Sequence, residues 1–181
     1  AVIDIETDNN IVSKNIIIDE NAPCVEFENV CLKYFESGDE ALTDITFTAN
    51  KGETIGIIGG TGSDKTSLLH IIPHFYTNTK GSVKIFGVDI KDWDSENLRQ
   101  RIGIVMQKAV LFKGTIRDNI LWGKQNASDD EIYSALETAQ AKDFVLSKDG
   151  KLDHEVSQNG TNFSGGQRQR LTIARALIKK P

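Results

Sequence analysis

Thr54-Ile55-Gly56-Ile57-Ile58-Gly59-Gly60-Thr61-Gly62-Ser63-Asp64-Lys65-Thr66-Ser67-Leu68-Leu69-His70-Ile71-Ile72 decides the fold of this chain. Its first five residues form a compact β-branched run between glycines, the pattern of a strand buried on both faces of a helix-covered parallel sheet. Its last seven, from Thr66, read as a helix that Pro73 ends or bends. Between them Gly59 to Thr66 is nearly G-x-x-x-x-G-K-[ST]. Small residues there let backbone N–H groups turn inward around phosphate oxygens, a lysine reaches the outer phosphates, and a hydroxyl holds a magnesium ion. Lys65 and Thr66 fill the last two places. A glycine-rich turn alone would mean little, but strand, loop and helix stand here in the required order.

Asp64 occupies the position that the pattern reserves for glycine. A carboxylate about 4 Å from a phosphate charge is repelled by roughly 4 kcal/mol at an effective dielectric of about 20. The alternative is a side chain turned outward that only adds bulk. The sequence leaves both open.

Outward from the loop, Val25 to Val30 and Leu42 to Thr48 alternate apolar and polar residues, as strands of a short antiparallel sheet do, with turn chemistry at Ser37-Gly38-Asp39 between them. Gly81 to Gly87 brackets another strand, Ser95 to Arg101 a short helix, and Ile102 to Met106 a further strand. A helix runs from Ser128 to about Leu146, opened by the capping box Ser128-Asp129-Asp130-Glu131, so those acidic residues serve the cap and not a metal. Gln167 to Lys179 is the last helix. Strands alternating with helices give an α/β class with a parallel core and a helical insertion. Trp93, Trp122, Phe75 and Tyr76 read as packing residues.

The chain has 181 residues, enough for one substantial core, and a net charge of −5 with signs interspersed, which argues against a nucleic-acid surface. Cys24 and Cys31 are its two cysteines and lack metal-ligand spacing, so they read as reduced thiols of a cytosolic domain. No apolar run approaches the roughly 20 residues that span a bilayer. The first 22 residues, without a steady period, read as a linker from an upstream membrane domain, and both ends read as cuts in a longer protein.

A second glycine motif, Asn162-Phe163-Ser164-Gly165-Gly166-Gln167-Arg168-Gln169-Arg170-Leu171, opens a helix with a hydroxyl and exposed amides, another anion-binding arrangement. With both motifs in place the chain resembles the nucleotide-binding domain of ABC transporters over residues 24–181. Phe163 to Gln167 is similar to that family's LSGGQ signature, with phenylalanine for leucine. Lys108 to Gly123 (KAVLFKGTIRDNILWG) resembles the exporter subgroup. Val156 to Gly160 is similar to the short exporter loop before the signature, with Gln158 where glutamate is usual.

The resemblance implies a P-loop NTPase, RecA-like core, an antiparallel β subdomain near residues 24–50 and a helical subdomain over about 108–165, within a nucleotide-binding domain spanning 23–181. It implies ATP and Mg²⁺ as ligands, with Tyr34 on adenine and Gly59, Gly60, Thr61, Gly62, Ser63, Asp64, Lys65, Thr66 and Ser67 around the phosphates. Thr66 and Gln107 fall to Mg²⁺, and Ser164, Gly165, Gly166 and Gln167 to the ATP of a second nucleotide-binding domain, identical or different. It implies a transmembrane domain on the same polypeptide, at the cytoplasmic face of the membrane, and no nucleic acid. The family's Walker B aspartate, catalytic glutamate and switch histidine follow the signature helix; His70, His74 and His154 do not match the last, so no catalytic residue is expected within this chain and no turnover from it alone. Two other readings remain: a poorly hydrolysing subunit of a heterodimeric exporter, to which Asp64 points, and a non-transport ABC ATPase, against which the exporter-like segment after Gln107 argues.

Overall fold

The structure, a computed structural model, describes residues 16, 18, 19, 21–35 and 38–181. The linker expected over residues 1–22 lies mostly outside the described residues, as does Ser37 of the first turn. The chain divides into two compact units, Ala1–Leu98 and Arg99–Pro181.

In the first unit the alternating segments form β1 (Val25–Leu32) and β2 (Leu42–Ala49), which pair antiparallel with Phe27 opposite Phe47. Their rings stack at 4.7 Å, a cross-strand pair of the kind that stabilises sheets. On its other edge β1 pairs with β3 (Lys80–Ile85), and β4 (Val88–Asp89) completes the order β2-β1-β3-β4. Phe27, Val30, Leu32, Val83 and Ile85 bury the inward positions. Helix α1 (Lys65–Ile71) follows the glycine loop and buries Ser67, Leu68 and Ile71. Helix α2 (Ser95–Gln100) closes the unit with Leu98 buried, and Trp93 just before it is buried too.

The second unit is helical. A two-residue ribbon, β5 (Gly114–Thr115) with β6 (Glu155–Val156), lies beside α3 (Ile116–Leu121), α4 (Asp129–Thr138), α5 (Lys142–Leu146) and α6 (Gly165–Leu177). Ile116, Ile120, Ile132, Leu136, Val145 and Leu171 pack one core between the helices. The Ser128 capping box forms as read, with Glu131 returning to the Ser128 N–H.

Three expectations are corrected. Thr54 to Ile58 and Ile102 to Met106 form no ladder, and every sheet pairing among the described residues is antiparallel. A strand buried on both faces needs a hydrogen-bonded neighbour on each edge, and the described residues put none beside these runs, so Ile58 is 98% exposed and Met106 47%. The helix expected from Ser128 to Leu146 is two helices, broken where Gln140 takes a left-handed conformation (φ 55°). Trp122 does not pack inward: it is 68% exposed, with its ring 5.0 Å from Phe112. Phe75 and Tyr76, though part-exposed, do lie against α1, their rings 5.7 and 6.0 Å from that of His70.

Candidate functional site

The glycine loop of the first unit folds around its own lysine. The Lys65 ammonium donates to the Gly59 carbonyl (2.8 Å), the Gly60 carbonyl (2.6 Å) and the Ser63 hydroxyl (2.8 Å). Ser63 donates in turn to the Gly60 carbonyl at 2.8 Å. Two glycines are explained by this shape. Gly62 lies at φ +82°, where L side chains are strained, and a Cβ on Gly59 would stand 2.4 Å from Ser63 Oγ. A Cβ on Gly60 would meet nothing within 4 Å, so that position is small without need of it in the loop itself. Thr61 and Thr66 are exposed.

Asp64 leads into α1 in the left-handed region (φ 51°, ψ 25°). Its carboxylate accepts from Ser67 Oγ at 3.1 Å, and Ser67 Oγ accepts from the Tyr34 hydroxyl. The structure thus brings together three residues that the sequence placed at one site without linking them. The Tyr34 ring is 44% exposed and meets Tyr76 edge-on at 5.0 Å, while Tyr76 lies 6.0 Å from the His70 ring. Tyr76, read as a packing residue, is therefore part of the aromatic surface next to Tyr34.

In the second unit Gln107 is exposed on the unpaired run that follows Met106. The signature residues start α6. Ser164 Oγ accepts from the Gln167 N–H at 3.2 Å, and Gln167 Oε1 accepts from the Ser164 N–H at 3.0 Å, a capping box. The S-x-x-Q spacing announces it, by the rule that identified the Ser128 cap. Behind the cap, Arg168 donates to the Phe163 carbonyl at 2.6 Å, and the buried Phe163 ring lies perpendicular to that of His154 at 5.9 Å. Asn162, whose Oδ1 accepts from the Ser157 N–H and whose amide donates to the Glu155 carbonyl, pins the preceding loop. Gly165 and Gly166 stay exposed, and a Cβ on Gly166 would meet nothing within 4 Å.

Among the described residues no His, Cys, Asp or Glu cluster could hold a metal ion by itself. The exposed Thr66 hydroxyl and Gln107 amide oxygen are hard donors of the kind magnesium takes when phosphate oxygens and water supply the rest. Among the described residues, no helix is long and apolar enough to cross a membrane.

A phosphate loop in the first unit and, in the second, a last helix opened by a signature motif define a class of ATP-binding domain. Residues 42–181 match the family model described as ABC transporter. The chain is 42% identical over 177 residues to YfiB of Bacillus subtilis (strain 168), an ABC transporter ATP-binding protein itself uncharacterized, covering 98% of this chain and 31% of that one. YgaD of the same strain, whose name assigns it provisionally to multidrug export ATP-binding/permease proteins, is 40% identical over 157 residues, 87% of this chain and 27% of its own. A solved structure of a bacterial Atm1-family ABC exporter with ATP bound aligns with a TM-score of 0.84 at 35% identity, over 92% of this chain and 28% of that chain. The chain belongs to the ABC transporter family, and its fold class is the α/β P-loop ATPase fold read from the sequence. It spans less than a third of the length of the curated relatives it matches.

Proposed function

We propose that this chain is the ATP-binding and ATP-hydrolysing motor domain of an ABC exporter, in which ATP-driven pairing with a second nucleotide-binding domain moves a transmembrane domain on the same polypeptide. The observation that carries the reading is the pair Gly165 and Gly166. Glycine in a helix costs up to about 1 kcal/mol relative to alanine. Neither glycine has a positive φ, and around them there is open space except for Arg168 at 4.0 Å from a Gly165 Cβ. Internal packing therefore gives no reason for them. Close approach of an outside group to the start of α6 does, and a partner-bound γ-phosphate is such a group.

In this reading the Tyr34 ring supports adenine. Lys65 exchanges the carbonyls of Gly59 and Gly60 for phosphate oxygens, with the loop amides from Gly60 to Ser63 around them. Thr66 and Gln107 hold Mg²⁺, which when bound offsets phosphate charge. Ser164 and the amides of Gly165 and Gly166 face the partner's γ-phosphate, kept in place by the Gln167 cap. The site lies at the cytoplasmic face of the membrane.

The test is MgATP binding and ATPase activity of the full-length protein in lipid nanodiscs, native beside Lys65→Ala and Gly166→Trp. Loss of binding in the first, and retained binding without turnover in the second, is the expected outcome. Turnover unchanged in either variant would remove the proposal.

A second reading is a heterodimeric exporter in which this subunit's loop is the weak site while its signature completes the partner's. The Asp64–Ser67 hydrogen bond favours it.

A further inference from the structure

Asp64 is where this loop departs from its pattern, and the structure shows what the departure does. Aspartate is among the few residues other than glycine that enter the left-handed region readily, so the loop keeps its turn (φ 51°) and gains a carboxylate. That carboxylate takes the Ser67 hydroxyl hydrogen at 3.1 Å, and the Tyr34 hydroxyl occupies the Ser67 oxygen from the other side. Ser67 is 4% exposed, so water does not compete freely for it. A hydroxyl has one proton to donate. With Asp64 holding it, Ser67 has none for a phosphate oxygen.

We propose that Asp64 determines the nucleotide specificity of this loop, lowering its preference for ATP over ADP by engaging the Ser67 hydroxyl hydrogen and fixing a negative charge at the start of α1. The inference rests on the reading of the loop as an adenine-nucleotide site. A triphosphate carries one more negative charge than a diphosphate and is repelled more by the same fixed carboxylate. The Tyr34 link extends the effect to the adenine side, because the ring is tied to the residue that Asp64 holds.

The experiment is calorimetric titration of the full-length protein in nanodiscs with MgATP and with MgADP, comparing native Asp64, Asp64→Gly and Asp64→Asn. The ATP-to-ADP affinity ratio is expected to rise about tenfold in Asp64→Gly. Asp64→Asn, which removes the charge but keeps an acceptor for Ser67, is expected to fall between, and it also gives a readout if the glycine variant folds poorly. A native ratio in both variants overturns the proposal. If no form, native or variant, binds either nucleotide, the nucleotide-site reading itself fails and this inference falls with it.

Discussion

Ser164 and Gln167 satisfy each other across the first turn of α6, each side chain taking the other's backbone N–H, at 3.2 and 3.0 Å. The two glycines between them are left with exposed amides and open surroundings. The signature therefore divides its work: the outer residues hold the helix start, and the inner ones present bare backbone.

Ser164→Ala removes one half of this cap and should lower stability by about 1 kcal/mol, the usual cost of losing an N-cap side chain. Ser164→Asp keeps an acceptor for the Gln167 N–H and should hold stability near native while adding a negative charge where the partner's γ-phosphate is proposed to sit. Urea denaturation beside ATPase assays of the full-length protein separates the two roles. Equal activity in Ser164→Asp and native protein would take Ser164 out of the phosphate contact.

Gly166→Ala should stabilise the chain by roughly 0.5–1 kcal/mol, because the added Cβ meets nothing within 4 Å and the unfolded chain loses freedom. The same methyl should reduce ATP-driven pairing of nucleotide-binding domains. A higher denaturation midpoint together with weaker association, measured by analytical ultracentrifugation with MgATP, is the expected result. A variant that gains stability and pairs normally would show that the glycine serves neither packing nor the interface.

The sequence was most legible where structure is local. Alternation in Val25 to Val30 gave β1, and S-x-x-E at Ser128 gave the start of α4, because each signal is met by residues close by. Thr54 to Ile58 carries the signal of a strand enclosed by neighbours, but that pattern records an environment and does not create it; without ladder partners among the described residues the run stays exposed. The break at Gln140 has no glycine or proline to announce it. The Tyr34–Ser67–Asp64 chain joins residues 33 and 3 positions apart, which spacing alone could not connect.

Arg117 joins the first turn of α4 to the turn before β6 by pairing with Asp129 and with Asp153, the latter at 2.8 Å. Its hydrogen bond holds the Asp153 carboxyl below the usual aspartate range. A carboxylate depressed in the folded state adds stability above its unfolded pKa and loses it as pH falls through the folded one. Arg117→Met should therefore be less stable than native near pH 7, with the gap narrowing as pH falls below the ordinary aspartate pKa of about 3.9. Urea midpoints across that range check it. A gap that does not change with pH would assign the effect to packing of the Arg117 stem.

Asn119, 1% exposed on α3, hydrogen-bonds four groups at once. Its Oδ1 accepts from the Phe112 N–H at 2.9 Å and from Arg175 at 2.7 Å, and its amide donates to the carbonyls of Phe112 (2.8 Å) and Thr115 (2.9 Å). Burial already lowers the pKa of Arg175, so stripping a partner from that guanidinium is costly. Asn119→Ala should lose about 2–4 kcal/mol, more than a single hydrogen bond is worth, because buried donors and acceptors are left unsatisfied. Asn119→Asp offers Arg175 a charge but turns an oxygen toward two carbonyls, so it should be destabilised as well. Urea denaturation of both variants decides which matters more: if Asn119→Asp is as stable as native, the ion pair with Arg175 outweighs the two amide bonds, and charge holds this corner rather than the amide.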